Sequence, residues 1–402
     1  MRAVVVSLVV GALVLTGAAG TTHAQHGRMG GVDNLQPAAT PPVIELYTFG
    51  RGEVIFEKFG HTALCIDYNE QGQETVCFNY GVTDFTMGGA TLSWNFIRGK
   101  QKFFVEPIPL SGMMAFYRHE DRTIWKQALP LQPEQARAIE ARLLHDIKPE
   151  NRNYIYDHFA DNCTTRLRDI INDNTGGVLR VDTGGTYPLT FRQMGMQGMA
   201  EFPPLIAFGD FAVGRALDED ITLWQAMFHP FVLRDHVQDV FGVAPELIYE
   251  RRGAPIPDRG PTNRGWALLI GLAFALPLLA SRLTGRGERA SVAIATVPLT
   301  LIGLIIWSAA ILSTIPGLRW NEAVFLYVPF DVVMPFLGAV RRRKYARVRL
   351  AMFVVGSLFT AVGLFLQPLW VPIVIGYVIF GLIAFELPNP PLASRGGARV
   401  AA

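Results

Sequence analysis

The chain has 402 residues, of which 50% are hydrophobic and only 17% charged. That is too apolar for a single water-soluble enzyme, while the 11% aromatic content argues against disorder. The formal net charge is only +2, and the basic residues are clustered as membrane topology clusters them, so no nucleic-acid partner is implied.

In chain order, Arg2, an apolar run over 3–15 and small residues ending at Thr22-His23-Ala24 have the layout of a secretory signal peptide, residues 1–24. An uncleaved anchor is the alternative, but a run this short spans a bilayer poorly. No cysteine follows the run, so there is no lipoprotein signal. Residues 25–42, with Gly, Pro and Ala, read as a linker. An exported domain then occupies 43–260. Strands are expected over 44–48, 103–110 and 123–129, with a short helix over 111–119 capped by Ser111. A clearer helix covers 132–147, where Pro133 suits the first turn and Ala136, Ile139, Leu143 and Ile147 share a face. Segments 61–68 and 74–80 alternate like a hairpin around the turn-like 69–73. If Tyr68 faces Glu74, Cys65 falls opposite Cys77, as a cross-strand disulfide requires; two buried small hydrophobes are the alternative. Apolar residues over 202–211 and 223–233 read either as ordinary core or as a lip meeting lipid.

Beyond Arg264 the uncharged stretches become long enough to cross a bilayer. Spans are expected over 266–281, 291–313 and 323–340, and 350–385 reads as two helices reversing at Gln367-Pro368. This gives a transmembrane domain of about five helices over 264–388 and a tail over 389–402. Arg282, Arg286 and Arg289 follow the first span, and the cluster from Arg341 to Arg349 follows the third, so these loops and the tail face the cytoplasm and the exported domain faces the periplasm. Asp331 is the one acid at apparent membrane depth, either functional or placed at a hydrated turn by Pro329 and Pro335.

With Cys65 and Cys77 as partners, Cys163 is the odd cysteine, and in an oxidising compartment an odd thiol is either bridged to another chain or kept for its reactivity. Asn162 reads as the N-cap of a helix whose Leu167, Ile170 and Ile171 share a face, which puts the sulfur in the first turn. There the helix dipole and Arg166 are expected to lower the thiol pKa. Of the histidines, His61 enters the first hairpin strand from a Gly-relieved turn, and His158 is its rival as the base; His119, His145, His229 and His236 lie in polar contexts expected at the surface.

The blocks Phe59-Gly60-His61-Thr62-Ala63, Asn79-Tyr80-Gly81, Pro149-Glu150-Asn151-Arg152, Tyr154-x-Tyr156 and Asp161-Asn162-Cys163-Thr164-Thr165-Arg166 resemble the exported domain of the Lnb family of bacterial lipoprotein N-acyltransferases. So do Gly214-Arg215 and Trp224-Gln225-Ala226-Met227-Phe228-x-Pro230. That domain is similar to the papain-like NlpC superfamily in its permuted form, as in lecithin:retinol acyltransferase, where His precedes Cys. The resemblance implies an α+β papain-like domain on a membrane anchor, with Cys163 as nucleophile and His61 as base. Asn79 or Asp84 would orient the histidine, Asn162 and backbone amides would face the oxyanion, and Arg166 would meet substrate or anion. The implied partners are a phospholipid acyl donor and the N-terminal amine of a lipoprotein. A Cys/His hydrolase and a non-catalytic envelope scaffold are the alternatives. No Gly-rich nucleotide loop, HExxH or Cys/His cluster is present in the sequence, so no cofactor or metal is expected.

Overall fold

The computed structural model describes residues 35, 37, 39–53, 57–68, 73–84 and 88–385. The expected signal peptide, most of the linker, the hairpin turn over 69–72 and the C-terminal tail lie outside the described residues. The chain forms two compact units: one runs up to Ile206 and adds Ala216–Pro261 and Leu312–Arg319, and the other comprises Ala207–Arg215, Thr262–Ile311 and the residues from Trp320 on.

The first unit is α+β. Its seven strands are β1 (Val43–Phe49), β2 (His61–Asp67), β3 (Val76–Val82), β4 (Lys102–Pro109), β5 (Ile124–Ala128), β6 (Asn153–Ile155) and β7 (Glu246–Tyr249). They form one antiparallel sheet in the order β6-β4-β3-β2-β1-β5-β7. Its helices are α1 (Gly89–Ile97), α2 (Leu110–His119), α3 (Pro133–Asp146), α4 (Cys163–Asn174), α5 (Phe191–Gly198), α7 (Leu223–Ala226) and α8 (Pro230–Phe241), while α6 (Pro203–Ala212) straddles the two units.

Because strand side chains alternate between faces, the sheet carries two cores. Leu46, Leu64, Ile66, Phe78 and Tyr80 pack against Ile139 and Leu143 of α3, Leu167, Ile170 and Ile171 of α4, and Leu233 and Val237 of α8. Tyr47, Phe49, Ala63, Cys65 and Cys77 face the other way, onto Met113 and Tyr117 of α2. Each fully buried aliphatic side chain contributes about 1.5–3 kcal/mol, so the apolar stripe of α4 is what fixes its first turn against the sheet. The apolar segment after Leu223 belongs to this unit's interior: Ala226, Met227, Phe228 and Leu233 are all buried. Helix α2 starts one residue before the expected cap, behind Pro109, so Ser111 lies inside its first turn and does not cap it.

Cys65 pairs with Cys77 across the hairpin, and the two are disulfide-bonded. Pairing of β2 with β3 covers only Leu64↔Phe78, Cys65↔Cys77 and Ile66↔Val76. On its other edge β2 pairs with β1 all the way to His61. The first three residues of β2 therefore part from β3, and the gap that opens there holds the candidate site.

The second unit contains α9 (Arg264–Ala273), α10 (Leu276–Thr284), α11 (Glu288–Leu312), α13 (Ala339–Ala361) and α14 (Trp370–Ala384), while the single turn α12 (Pro316–Arg319) belongs to the first. Among the described residues, two segments, Arg264–Thr284 and Glu288–Leu312, are long and apolar enough to cross a membrane. The 350–385 stretch breaks before Trp370, and Gln367 and Pro368 lie in that break. The expected span over 323–340 is not a helix of membrane length. It forms 3-10 turns over Glu322–Phe325 and Pro329–Phe336, because Pro329 and Pro335 lack the N–H groups a continuous helix needs. The arginines expected in the following loop are helical, since α13 begins at Ala339. Asp331 is fully buried in the second turn and is paired: Arg349 Nε donates to it at 2.9 Å and Tyr345 Oη at 3.0 Å.

Candidate active site

Asn162 starts α4 from an extended conformation, and its Oδ1 accepts from Thr165 N at 2.8 Å while Asn162 N donates to Thr165 Oγ1 at 2.8 Å. Its Nδ2 donates to the carbonyls of His158, at 2.8 Å, and Phe228, at 3.0 Å. A primary amide has two N–H donors, and both are used. Asn162 therefore has no donor left for an oxyanion, contrary to the expected catalytic role. It clamps the helix start to two neighbouring segments and so aims the next residue.

That residue, Cys163, is half-buried and is the free cysteine of the chain. Gly81 on β3 lies beside it: at φ 93° it occupies a conformation that side chains resist, and a Cβ built there would sit 3.6 Å from the Cys163 Cβ. On the β2 side, Thr62 Oγ1 and Thr164 Oγ1 are 2.9 Å apart, tying the strand to the helix. The backbone N–H groups of Thr62, Cys163 and Thr164 and the Thr164 hydroxyl, 3.7 Å from Sγ, all interact with the sulfur.

These donors favour the thiolate, but burial is the larger effect and pushes the Cys163 thiol above its ordinary value. The expected lowering by the helix end and Arg166 is thus outweighed. Arg166 is itself committed elsewhere: its Nε and Nη2 donate to Asp161 at 2.6 and 2.8 Å, and its guanidinium lies 3.7 Å from the centre of the Tyr154 ring. An anion at Arg166 would have to compete with that carboxylate.

His61 stands next to Thr62 at the mouth of the gap. Its Nε2 donates to Asn79 Oδ1 at 2.5 Å, and Asn79 is buried on β3. This side-chain bond spans the strands where their backbone ladder has ended. With the Asn79 carbonyl oxygen accepting the hydrogen bond from Nε2–H, the lone pair of the neutral ring lies on Nδ1. The imidazole lies along Phe49 and Tyr117, each with centroids 6.1 Å away. Tyr117 also interacts electrostatically with Cys163. Asp84, the other residue considered for orienting His61, is exposed just past the end of β3.

His158 belongs to an aromatic cluster, with Phe59 at 4.4 Å and Phe159 at 4.9 Å, and Tyr156 Oη contacts its Nδ1 at 3.2 Å. Burial lowers its pKa to about 4. His229 and His236 are buried too, against the surface placement expected for them: His229 Nδ1 accepts from Phe231 N, and His236 Nε2 contacts the Leu179 carbonyl at 2.9 Å. The residues that the sequence did not single out are Thr62, Thr164 and Tyr117. Each threonine follows a candidate residue directly, but only the fold reveals that they bond to each other.

The gap therefore gathers a thiol at a helix N-terminus, backbone donors around it, and an imidazole held in one tautomer by a buried amide. That set can carry out nucleophilic attack on a carbonyl, with proton transfer by the histidine. No curated protein and no solved structure matches the chain. The family model of the Lnb N-terminal periplasmic domain matches residues 40–196, a stretch that contains Cys163, His61 and Asn79, so this part of the chain is similar to that domain.

Proposed function

We propose that the protein is a multi-pass inner-membrane thiol acyltransferase whose papain-like periplasmic domain N-acylates lipoproteins. The observation that carries this is the insertion of Cys163 into the parted ends of β2 and β3, the same gap that the His61–Asn79 pair bridges. The order His, then Cys, and a cysteine heading a helix packed on an antiparallel sheet agree with the permuted NlpC arrangement.

Because burial keeps the thiol protonated, His61 acts at the moment of attack. Nδ1 takes the Cys163 proton as sulfur adds to the ester carbonyl of a phospholipid or lipid ester. The N–H groups of Thr62, Cys163 and Thr164 stabilise the oxyanion. The C–O bond breaks, the leaving alkoxide takes the proton from His61, and the acyl group remains on sulfur as a thioester. The α-amine of a lipoprotein's N-terminal cysteine then adds to that carbonyl. His61 accepts the amine proton and returns it to the departing thiolate, leaving an amide. Exposed apolar side chains on the two long apolar segments, among them Leu269, Ile270, Leu301 and Ile305, suit a lipid environment and would hold the domain at the membrane.

The test is mass spectrometry of a lipoprotein's N-terminal peptide, in cells lacking any other N-acyltransferase and complemented with wild type or Cys163→Ala. A third acyl chain with wild type only is the expected result. Its presence with both removes Cys163 from the mechanism, and its absence with both refutes the transferase reading.

A further inference from the structure

Four helices of the second unit bring their ends to one basic cavity. It measures about 240 Å³ and is lined by Arg282 near the end of α10, Glu288 at the start of α11, Ala339, Arg342 and Arg343 in the first turns of α13, and Ile383 near the end of α14. Among the described residues the lining thus brings three guanidinium groups and one carboxylate together, and the Glu288 side chain is 51% exposed.

Arg342 is the anomalous member. Its side chain is only 5% exposed. Nη2 donates to the Leu337 carbonyl at 3.0 Å and Nη1 lies 3.4 Å from Glu288 Oε1, while Nε has no hydrogen-bond partner among the described residues. A buried donor of a charged group without an acceptor is destabilising. The helix it sits on aggravates this. Gly338 offers α13 no side-chain cap, and no acid lies in the first turn. The N–H groups of Ala339, Val340 and Arg341 therefore lack intrahelical acceptors, and the positive end of the dipole coincides with Arg341, Arg342 and Arg343. A second cavity of about 380 Å³, lined by Gly338, Ala339, Val340 and Arg341, opens at this same turn and shares Ala339 with the first.

Free N–H groups, an unsatisfied buried guanidinium and clustered positive charge all call for one kind of occupant, a polyvalent oxyanion. We propose that this is a binding site for the phosphate of an anionic lipid headgroup. Lipid is favoured over a soluble phosphate by the surroundings: Leu283 and Val340, next to lining residues, are 72% and 62% exposed, as suits side chains meeting acyl chains. The chain enters the Arg264–Thr284 span directly after the periplasmic domain. The turn that joins this span to α11 thus falls on the cytoplasmic side, where anionic headgroups and juxtamembrane arginines attract each other. The acyl donor of the proposed reaction is consumed on the other side, so this lipid is a bound ligand and not the substrate.

Purified full-length protein in neutral detergent is titrated with short-chain phosphatidylglycerol, short-chain phosphatidylcholine or inorganic phosphate, with the thermal melt and an equilibrium binding isotherm as readouts. Phosphatidylglycerol is expected to raise the melt and to bind at least tenfold more tightly than either of the others. Arg342→Gln is expected to weaken it tenfold or more, whereas Arg286→Gln, outside the lining, leaves it within twofold. Should Arg342→Gln fail to fold, Arg343→Gln decides, with the same tenfold expectation. Equal binding of the two lipids, or a folded lining variant with unchanged affinity, overturns the site. Inorganic phosphate binding as tightly as phosphatidylglycerol overturns the lipid assignment.

Discussion

Asn162 separates a positioning role from a catalytic one, because its amide is fully engaged within the fold. Asn162→Ala removes the cap on Thr165, worth about 1 kcal/mol, and the donors to the His158 and Phe228 carbonyls, worth about 1 kcal/mol each. The sum of about 3 kcal/mol lowers the melting temperature of the first unit by about 6–12 °C, at roughly 2–4 °C per kcal/mol for a domain of this size. Asn162→Asp keeps the acceptor for Thr165 but turns a carboxylate oxygen toward the two carbonyls, so it is expected to be at least as unstable. Tryptophan fluorescence of the full-length protein in detergent follows the melt, and acyl transfer is assayed well below it. The fraction that remains folded is expected to keep kcat within tenfold of wild type. An unchanged melt with kcat reduced a hundred- to a thousand-fold, the signature of a lost oxyanion donor, would refute this reasoning.

Since burial holds the Cys163 thiol above its ordinary value of 9.0, iodoacetamide alkylation should be slow at neutral pH and still rising past pH 9; a rate plateau below pH 8 would show a preformed thiolate instead. His158 and His229 are held by burial at about 4 and about 3, against an unperturbed value near 6.5. Between those values and 6.5 the unfolded chain binds more protons than the folded one, so stability is complete above pH 6.5 and falls as pH drops toward 4. His158→Gln should flatten part of that decline in urea melts taken across the range, and a profile already flat in wild type would contradict the assignment. The Cys65–Cys77 bond closes a loop with a sequence separation of 12, worth about 3 kcal/mol by loop entropy. Replacing both cysteines with alanine should cost a melting shift like that of Asn162→Ala while leaving Cys163 alkylation unchanged; no shift would mean that the bond adds nothing to the fold.

Much of the site's framework was legible in the residues because its signals are local. The period-two alternation of the hairpin put Cys65 opposite Cys77, and Asn-Cys-Thr-Thr followed by an amphipathic stripe marked both the cap and the position of the thiol. Other features were not, since they depend on side-chain conformation and on how segments pack. The neutralisation of Arg166 follows from a side-chain conformation that reaches back to Asp161 and Tyr154. The burial of His229 and His236 follows from where α8 lies, and the exposed strand β7 carries no strong alternation to announce it. Residues 323–340 look like a span because their composition is apolar, but hydropathy does not count N–H groups, and two prolines remove them.

Which residues of the hairpin alternate, that Asn162 caps α4, which stretches are apolar and which cysteine is left over could all be read from the residues alone, since each depends on covalent neighbours and side-chain chemistry. It took the packed fold to decide that β2 parts from β3 at His61, that α4 drives its first residue into the opening, that Asn79 holds the imidazole, and that Asn162 is used up in clamping the start of α4. Those outcomes rest on competition for a limited number of donors and acceptors among segments 18 to 102 residues apart in the chain, and that competition is settled only once the sheet and helices are packed.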